Sequence, residues 1–220
     1  MGERHEGKWM GAAVLIVVMV FISSVTRAGD FHELLNLKAG ALSAKISEFQ
    51  KELDQNSSHY DAIKGLGIAY HIKAQEDAKK FAQRAVDMLT RAHEMNKRDY
   101  EALCYLGSAM TMMAKTTWNP IKKMSYVNKG IALMDKAVKR DPDNITVRMA
   151  RGYNSMRLPG FLERKGVALE DFEHLAEMIE KDPVSFSSIK REVYSNLAEL
   201  YRKKGEEDKA EKCMKLAATP

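Results

Sequence analysis

The sequence predicts an all-α fold, a stack of antiparallel helix pairs preceded by an N-terminal hydrophobic helix. Three observations predict it. From residue 31 onward apolar residues recur at helical spacing, no segment alternates with the period of a strand, and helix breakers interrupt the pattern at short intervals. With 220 residues, 45% hydrophobic and 8% aromatic, the chain suffices for one compact domain or a short solenoid. Collagenous and wholly disordered chains are excluded.

Residues 9–26 form an uncharged run with its apolar heart at 10–22, preceded by Arg4 and Lys8. This is the pattern of an export signal, and Thr26-Arg27-Ala28 offers a cleavage point after Ala28. An uncleaved membrane anchor is the other reading. At about 1.5 Å per residue the run reaches about 27 Å, against a hydrocarbon core of about 30 Å, so length does not decide between them. The protein is accordingly expected to be exported, either periplasmic or otherwise extracytoplasmic, or held at a membrane by residues 9–26.

Residues 29–59 are expected to form a capping helix and linker. Leu42, Ile46, Phe49 and Leu53 share one stripe, while Lys45, Glu48 and Glu52 lie off it. Asn56, Ser57 and Ser58 break this helix, and Ser58 followed by Asp61 resembles a capping box for a helix starting near Tyr60. Further breakers stand at 96–99, 116–120, 141–144, 158–160, 182–188 and Gly205. Asn119 is placed to cap and Pro120 to occupy a first helical turn, where its missing N–H does no harm. About nine helices result.

The last pair carries the clearest pattern. Tyr194, Leu197, Ala198, Tyr201, Gly205, Ala210, Met214 and Ala217 follow one another as bulky, large apolar, small, aromatic, turn, small, large apolar and small residues. Residues 194–217 thereby resemble a tetratricopeptide repeat over the whole helical hairpin. Small residues in this pattern let paired helices approach, and large ones fill the groove between pairs.

Earlier units match in part. Ile63, Leu66, Gly67 and Tyr70 fit a first helix, and Ala85, Leu89 and Ala92 a second after about six extra residues. Leu103, Leu106, Gly107 and Met110 are followed, after about eleven extra residues, by Gly130, Met134, Ala137 and Pro142. A third unit keeps Gly152, Leu175, Met178 and Pro183 but carries Arg148 and Arg151 where apolar residues are expected. The resemblance divides the body into pairs at 60–98, 99–143, 144–185 and 189–220.

What the resemblance implies is a right-handed superhelical stack, irregular because of the extra residues, with a concave face made by the first helices. In this family that face takes up a peptide or a partner's helix. By position, Lys64, Ile68, His71, Ser108, Thr111, Met112, Met149, Tyr153, Met156, Arg157, Glu199 and Arg202 would face the groove, with Cys104 and Ser195 beside them. Members that clamp a C-terminal carboxylate use Asn where Ile68, Ser108, Tyr153 and Glu199 stand here, so that specialised activity is not implied.

Chemistry finds little support in the residues. The six histidines lack second ligands at metal-like spacing, and neither HExxH nor CxxC occurs, so no metal and no cofactor is expected. Gly65-Leu66-Gly67 lacks the third glycine of a dinucleotide fingerprint and falls inside a helix. Adjacent Glu170 and Asp171 do not face each other on a helix, and they fit an exposed first turn, as do Glu206, Glu207 and Asp208. Cys104 and Cys213 fit small core positions, with a disulfide as the alternative. The 14 methionines are chiefly core filler and mildly favour an adaptable groove.

The charge balance is 35 Lys and Arg against 30 Asp and Glu, a net +5, with the signs interleaved nearly everywhere. The densest basic runs are Lys122-Lys123, Lys190-Arg191 and Arg202-Lys203-Lys204. Nucleic-acid binders concentrate one sign in a stripe, so no nucleic acid is expected. The expected partner is a protein or peptide, with membrane contact through the N-terminal segment if it is uncleaved, and self-association left open. Joined to the export segment, the repeats predict a non-catalytic scaffold or assembly factor of the cell envelope. The alternative is a transport-associated accessory protein holding a small molecule or lipid in the same groove.

Overall fold

The computed structural model describes Leu34 and residues 37–219. The expected hydrophobic helix, with its cleavage or anchoring, lies outside the described residues. Within them stand nine α-helices and no strand: α1 (Ala39–Gln55), α2 (Tyr60–Glu76), α3 (Ala78–Met95), α4 (Tyr100–Met113), α5 (Pro120–Arg140), α6 (Ile145–Arg157), α7 (Lys165–Lys181), α8 (Ser187–Lys204) and α9 (Glu207–Ala218). Single 3₁₀ turns at Ala114–Thr116 and Gly160–Leu162 interrupt the second and third hairpins.

Polar side chains fix most helix starts by accepting a hydrogen bond from an otherwise orphaned N–H. Asp77 accepts from Lys80 N at 3.1 Å, Asp99 from Ala102 N at 2.8 Å and Asn144 from Val147 N at 3.1 Å. Each such cap stabilises its helix by about 1 kcal/mol. Asn119 caps α5 through Ile121 N and Lys122 N, with Pro120 in the first turn. At α2 the expected capping box is not formed. His59 takes the position instead, its Nδ1 accepting from Ala62 N at 3.2 Å, because the helix begins one residue after Ser58 would require. Gly205 ends α8 in the left-handed region, φ +81°, where its N–H and that of Glu206 close onto the carbonyls of Arg202 and Tyr201.

Glycines set how closely the helices approach. A Cβ on Gly107 would stand 2.6 Å from the Gly130 carbonyl oxygen, and one on Gly130 would stand 2.4 Å from the Gly107 oxygen, so α4 and α5 touch backbone to backbone. From this crossing α4 runs on for six residues to Met113, whereas α5 reaches back ten to Pro120. About one turn of α5 therefore overhangs its partner. In the first pair, by contrast, Asp77 alone joins helices of 17 and 18 residues, ending one and capping the next. The capping helix α1 rests on α2, where the Phe49 ring occupies the space above Gly65.

The third pair holds together by a different principle. Asp171 has no exposed surface and accepts from Arg151 Nε and Nη2, each at 2.8 Å, and from Arg148 Nη1 at 3.0 Å. Arg151 Nη1 also donates to Asp135 at 3.2 Å, which Arg164 holds through both oxygens. Asp171 is thus not an exposed first-turn residue. It lies in the interior of α7 and answers the two arginines that stand where the repeat pattern calls for apolar groups. Cys104 and Cys213 are both buried and free.

Candidate functional site

The C-terminal halves of α2 and α4 and one face of α6 converge on a cavity of about 1000 Å³. Its floor is polar and neutral. His71 Nε2 and Ser108 Oγ lie 2.8 Å apart, and Asn154 Nδ2 donates to Ser108 Oγ at 3.1 Å and to Thr111 Oγ1 at 2.8 Å. One hydrogen-bonded chain thereby crosses three successive first helices. Thr111 Oγ1 donates its own hydrogen bond to the Ser108 carbonyl at 2.7 Å. Burial, reinforced by the Arg157 charge, pushes the His71 imidazole down to about 4, so the ring is neutral at pH 7.

Apolar side chains make the walls. Met112 and Met149 stand beside the floor, Met124 and Val127 come from the N-terminal half of α5, and Phe161 and Leu162 come from the 3₁₀ turn after α6. Tyr153 closes one side. Its hydroxyl donates to Glu192 and accepts from Asn196 Nδ2 at 3.0 Å, and burial together with the Glu192 bond pushes its phenol up. The Arg157 guanidinium lies 5.9 Å from the Tyr153 ring centre and donates to Gln75 at 3.2 Å, tying α6 to α2. Lys115, Lys123 and Arg157 line the cavity against one carboxylate, Glu192, already engaged by Tyr153.

This arrangement favours binding over bond chemistry. Its floor imidazole, pushed down to about 4, is a weak base, and the Tyr105 and Tyr153 phenols are held protonated by burial, so none of the three is tuned to take a proton near pH 7. Among the described residues no three His, Cys, Asp or Glu side chains gather into a metal-holding group.

Of the residues that the repeat pattern assigns to the groove, His71, Ser108, Thr111 and Met112 line this cavity, as do Met149, Tyr153 and Arg157. The others lie elsewhere. Lys64 is buried between units, 2.7 Å from Asp99 and 2.9 Å from Glu101. Ile68 has no exposed surface, Cys104 is buried, and Met156 packs into the C-terminal core. Glu199 and Arg202 are exposed and face Lys203 and Glu207, and Ser195 is exposed. The cavity takes His71, Ser108, Thr111 and Met112 from the C-terminal halves of α2 and α4 and draws on α6 from Ile145 to Arg157, whereas Lys64, Ile68 and Cys104 pack against neighbours.

Asn154, the centre of the floor, and the wall residues from α5 and from 158–162 are not assigned by the repeat pattern, because they lie outside its signature positions. One sequence signal marks part of this surface. Residues 102–134 contain no Asp or Glu and four lysines, an exception to the interleaving of charge elsewhere.

No family model matches the chain. No curated protein matches it either. Among solved structures, a thermophilic tetratricopeptide-repeat protein of Thermus thermophilus, TTC0263, superposes with a TM-score of 0.62 at 17% identity, covering 87% of this chain and 91% of that one. MamA (MSR-1) is also similar, with a TM-score of 0.47 at 19% identity and coverage of 89% and 95%. The likeness to TTC0263 establishes a tetratricopeptide-repeat fold.

Proposed function

We propose that this protein is a non-catalytic interaction scaffold that takes up a peptide or a partner's helix in the cavity between α2, α4 and α6. The observation that carries this reading is the hydrogen-bonded chain His71–Ser108–Asn154–Thr111. It joins three first helices into one preorganised floor beneath apolar walls, which fits alternating polar and apolar groups on an elongated ligand. The repeat fold supports a protein partner. The uncharged run at 10–22 supports action at a cell envelope, with the body exported or tethered.

The test is affinity capture from intact membranes with the full chain and with Thr146→Arg, which extends a long side chain into the cavity from the half-exposed start of α6. A protein recovered with the parent and lost with Thr146→Arg supports the reading, provided the variant keeps its helical circular dichroism. Recovery of the same proteins by both, or of none by either, defeats it. N-terminal sequencing of the natural protein tests the location: a start at Gly29 means export with cleavage, and a start at Met1 means a tether.

A further inference from the structure

Three of the most exposed large apolar side chains stand around the mouth of this cavity. Trp118 is 90% exposed, Ile121 80% and Phe161 72%. Ile121 adjoins the lining residue Pro120, the lining Lys123 places its ammonium 5.5 Å from the Trp118 ring centre, and Phe161 lines the opening itself. Trp118 lies in the link between α4 and α5, Ile121 in the first turn of α5 and Phe161 in the 3₁₀ turn after α6.

The charge around them is predominantly positive. Lys115 and Lys122 are exposed, and Lys115, Lys123 and Arg157 line the opening, the three lysines lying within the acid-free stretch 102–134 and Arg157 lining the same cavity. Two carboxylates oppose them: exposed Glu163 next to the Phe161 turn, and Glu192, which accepts from Tyr153.

We infer that this rim is a docking surface for an anionic lipid bilayer, with Trp118, Ile121 and Phe161 entering the headgroup boundary and the lysines facing lipid phosphates. Two features select a bilayer over a protein partner. Trp118 and Ile121 protrude beyond the cavity and Phe161 stays 72% exposed at its opening, and a bilayer interface receives protruding aromatic and alkyl groups without shaped pockets. Three such side chains also offer at most about 600 Å² at about 200 Å² each, short of the about 800 Å² per partner of a stable protein interface. Anionic headgroups complement the lysines, whose attraction falls off within a Debye length. The inference stands apart from the peptide-binding reading, since it uses the rim and not the floor.

Tryptophan fluorescence tests it in the full chain. The sequence has two tryptophans, so Trp9→Phe leaves Trp118 as the sole reporter. With phosphatidylglycerol vesicles the emission shifts to shorter wavelength and is quenched by brominated acyl chains. With phosphatidylcholine vesicles it stays that of an indole in water, even where residues 10–22 insert. Combining Lys115→Glu, Lys122→Glu and Lys123→Glu abolishes the shift while circular dichroism is unchanged, and Thr146→Arg leaves it intact. An unshifted Trp118 on phosphatidylglycerol, an equal shift on phosphatidylcholine, or a shift that survives the charge reversal each overturns the inference.

Discussion

Arg151 grips both oxygens of Asp171, Nε and Nη2 each at 2.8 Å, and the carboxylate it holds has no exposed surface. The pair joins α6 to α7, and Arg148 adds a third hydrogen bond from the same face of α6. Buried charges of this kind specify one packing at a desolvation cost, so removing one partner does more harm than removing all three. Asp171→Ala strands two buried guanidiniums and is expected to lower unfolding free energy by about 3–5 kcal/mol. Replacing Arg148, Arg151 and Asp171 together with Met, Leu and Leu is expected to recover most of that loss. Urea unfolding followed by circular dichroism checks both, and a triple variant no more stable than Asp171→Ala would show that the salt bridges themselves supply the stability.

The same residues show where sequence reading stops. The hairpin of α8 and α9 was legible because Leu197, Ala198, Ala210 and Ala217 are all buried at the positions the repeat assigns. Arg148 and Arg151 look like decay of the repeat when seen singly. Their partner Asp171 is 20 residues or more away and has the composition of an exposed helix start. The cavity was half legible for a related reason. His71, Ser108 and Tyr153 follow from helical register, whereas Met124 and Val127 come from the second helix of a pair, outside the groove positions of the repeat, and Phe161 from a 3₁₀ turn. Register fixes which face a residue occupies, but the spatial course of an interruption depends on long-range packing.

Gly107 and Gly130 predict a second contrast. Alanine is ordinarily the better helix former by about 1 kcal/mol. At this crossing, however, the added methyl would sit 2.6 Å or closer to a backbone oxygen, which flexible side-chain movement cannot relieve. Overpacking of that kind costs about 1–3 kcal/mol, so Gly107→Ala and Gly130→Ala are each expected to destabilise. Gly40→Ala and Gly166→Ala, with nothing within 4 Å of the new Cβ, are expected to stabilise by about 0.5–1 kcal/mol. Thermal midpoints moving in the same direction at all four positions would refute the close-approach account.

Lys64 separates a structural role from a binding one. It is buried at the junction of the first two units, within hydrogen-bonding distance of Asp99 and Glu101, and Tyr60 also donates to Asp99 at 2.5 Å. Lys64→Met is expected to cost about 3 kcal/mol through the carboxylates it leaves less compensated. It should leave partner capture by the folded protein unchanged. Loss of capture at unchanged stability would return Lys64 to the groove where the repeat pattern places it.

His71 gives the molecule a defined acid response. An ordinary histidine titrates near 6.5, and this ring, desolvated and close to Arg157, is pushed down to about 4. Between those values the unfolded chain binds a proton that the folded chain does not, so the contribution is fully present above about 6.5 and is lost progressively as pH falls toward 4. The loss amounts to roughly 3 kcal/mol from this one group. Asp99 acts in a lower window. Burial opposes its ionisation, but Lys64 overcomes this and holds the carboxyl below its ordinary range, so its contribution disappears only as pH drops through that depressed value. Unfolding free energy measured from pH 7 to pH 4 should therefore fall more steeply in the parent than in His71→Gln, which keeps a polar group toward Ser108 but has no proton to gain. Equal slopes for the two proteins, or a His71 ring signal titrating near 6.5 by NMR, would mean that the imidazole is not held neutral by the cavity floor.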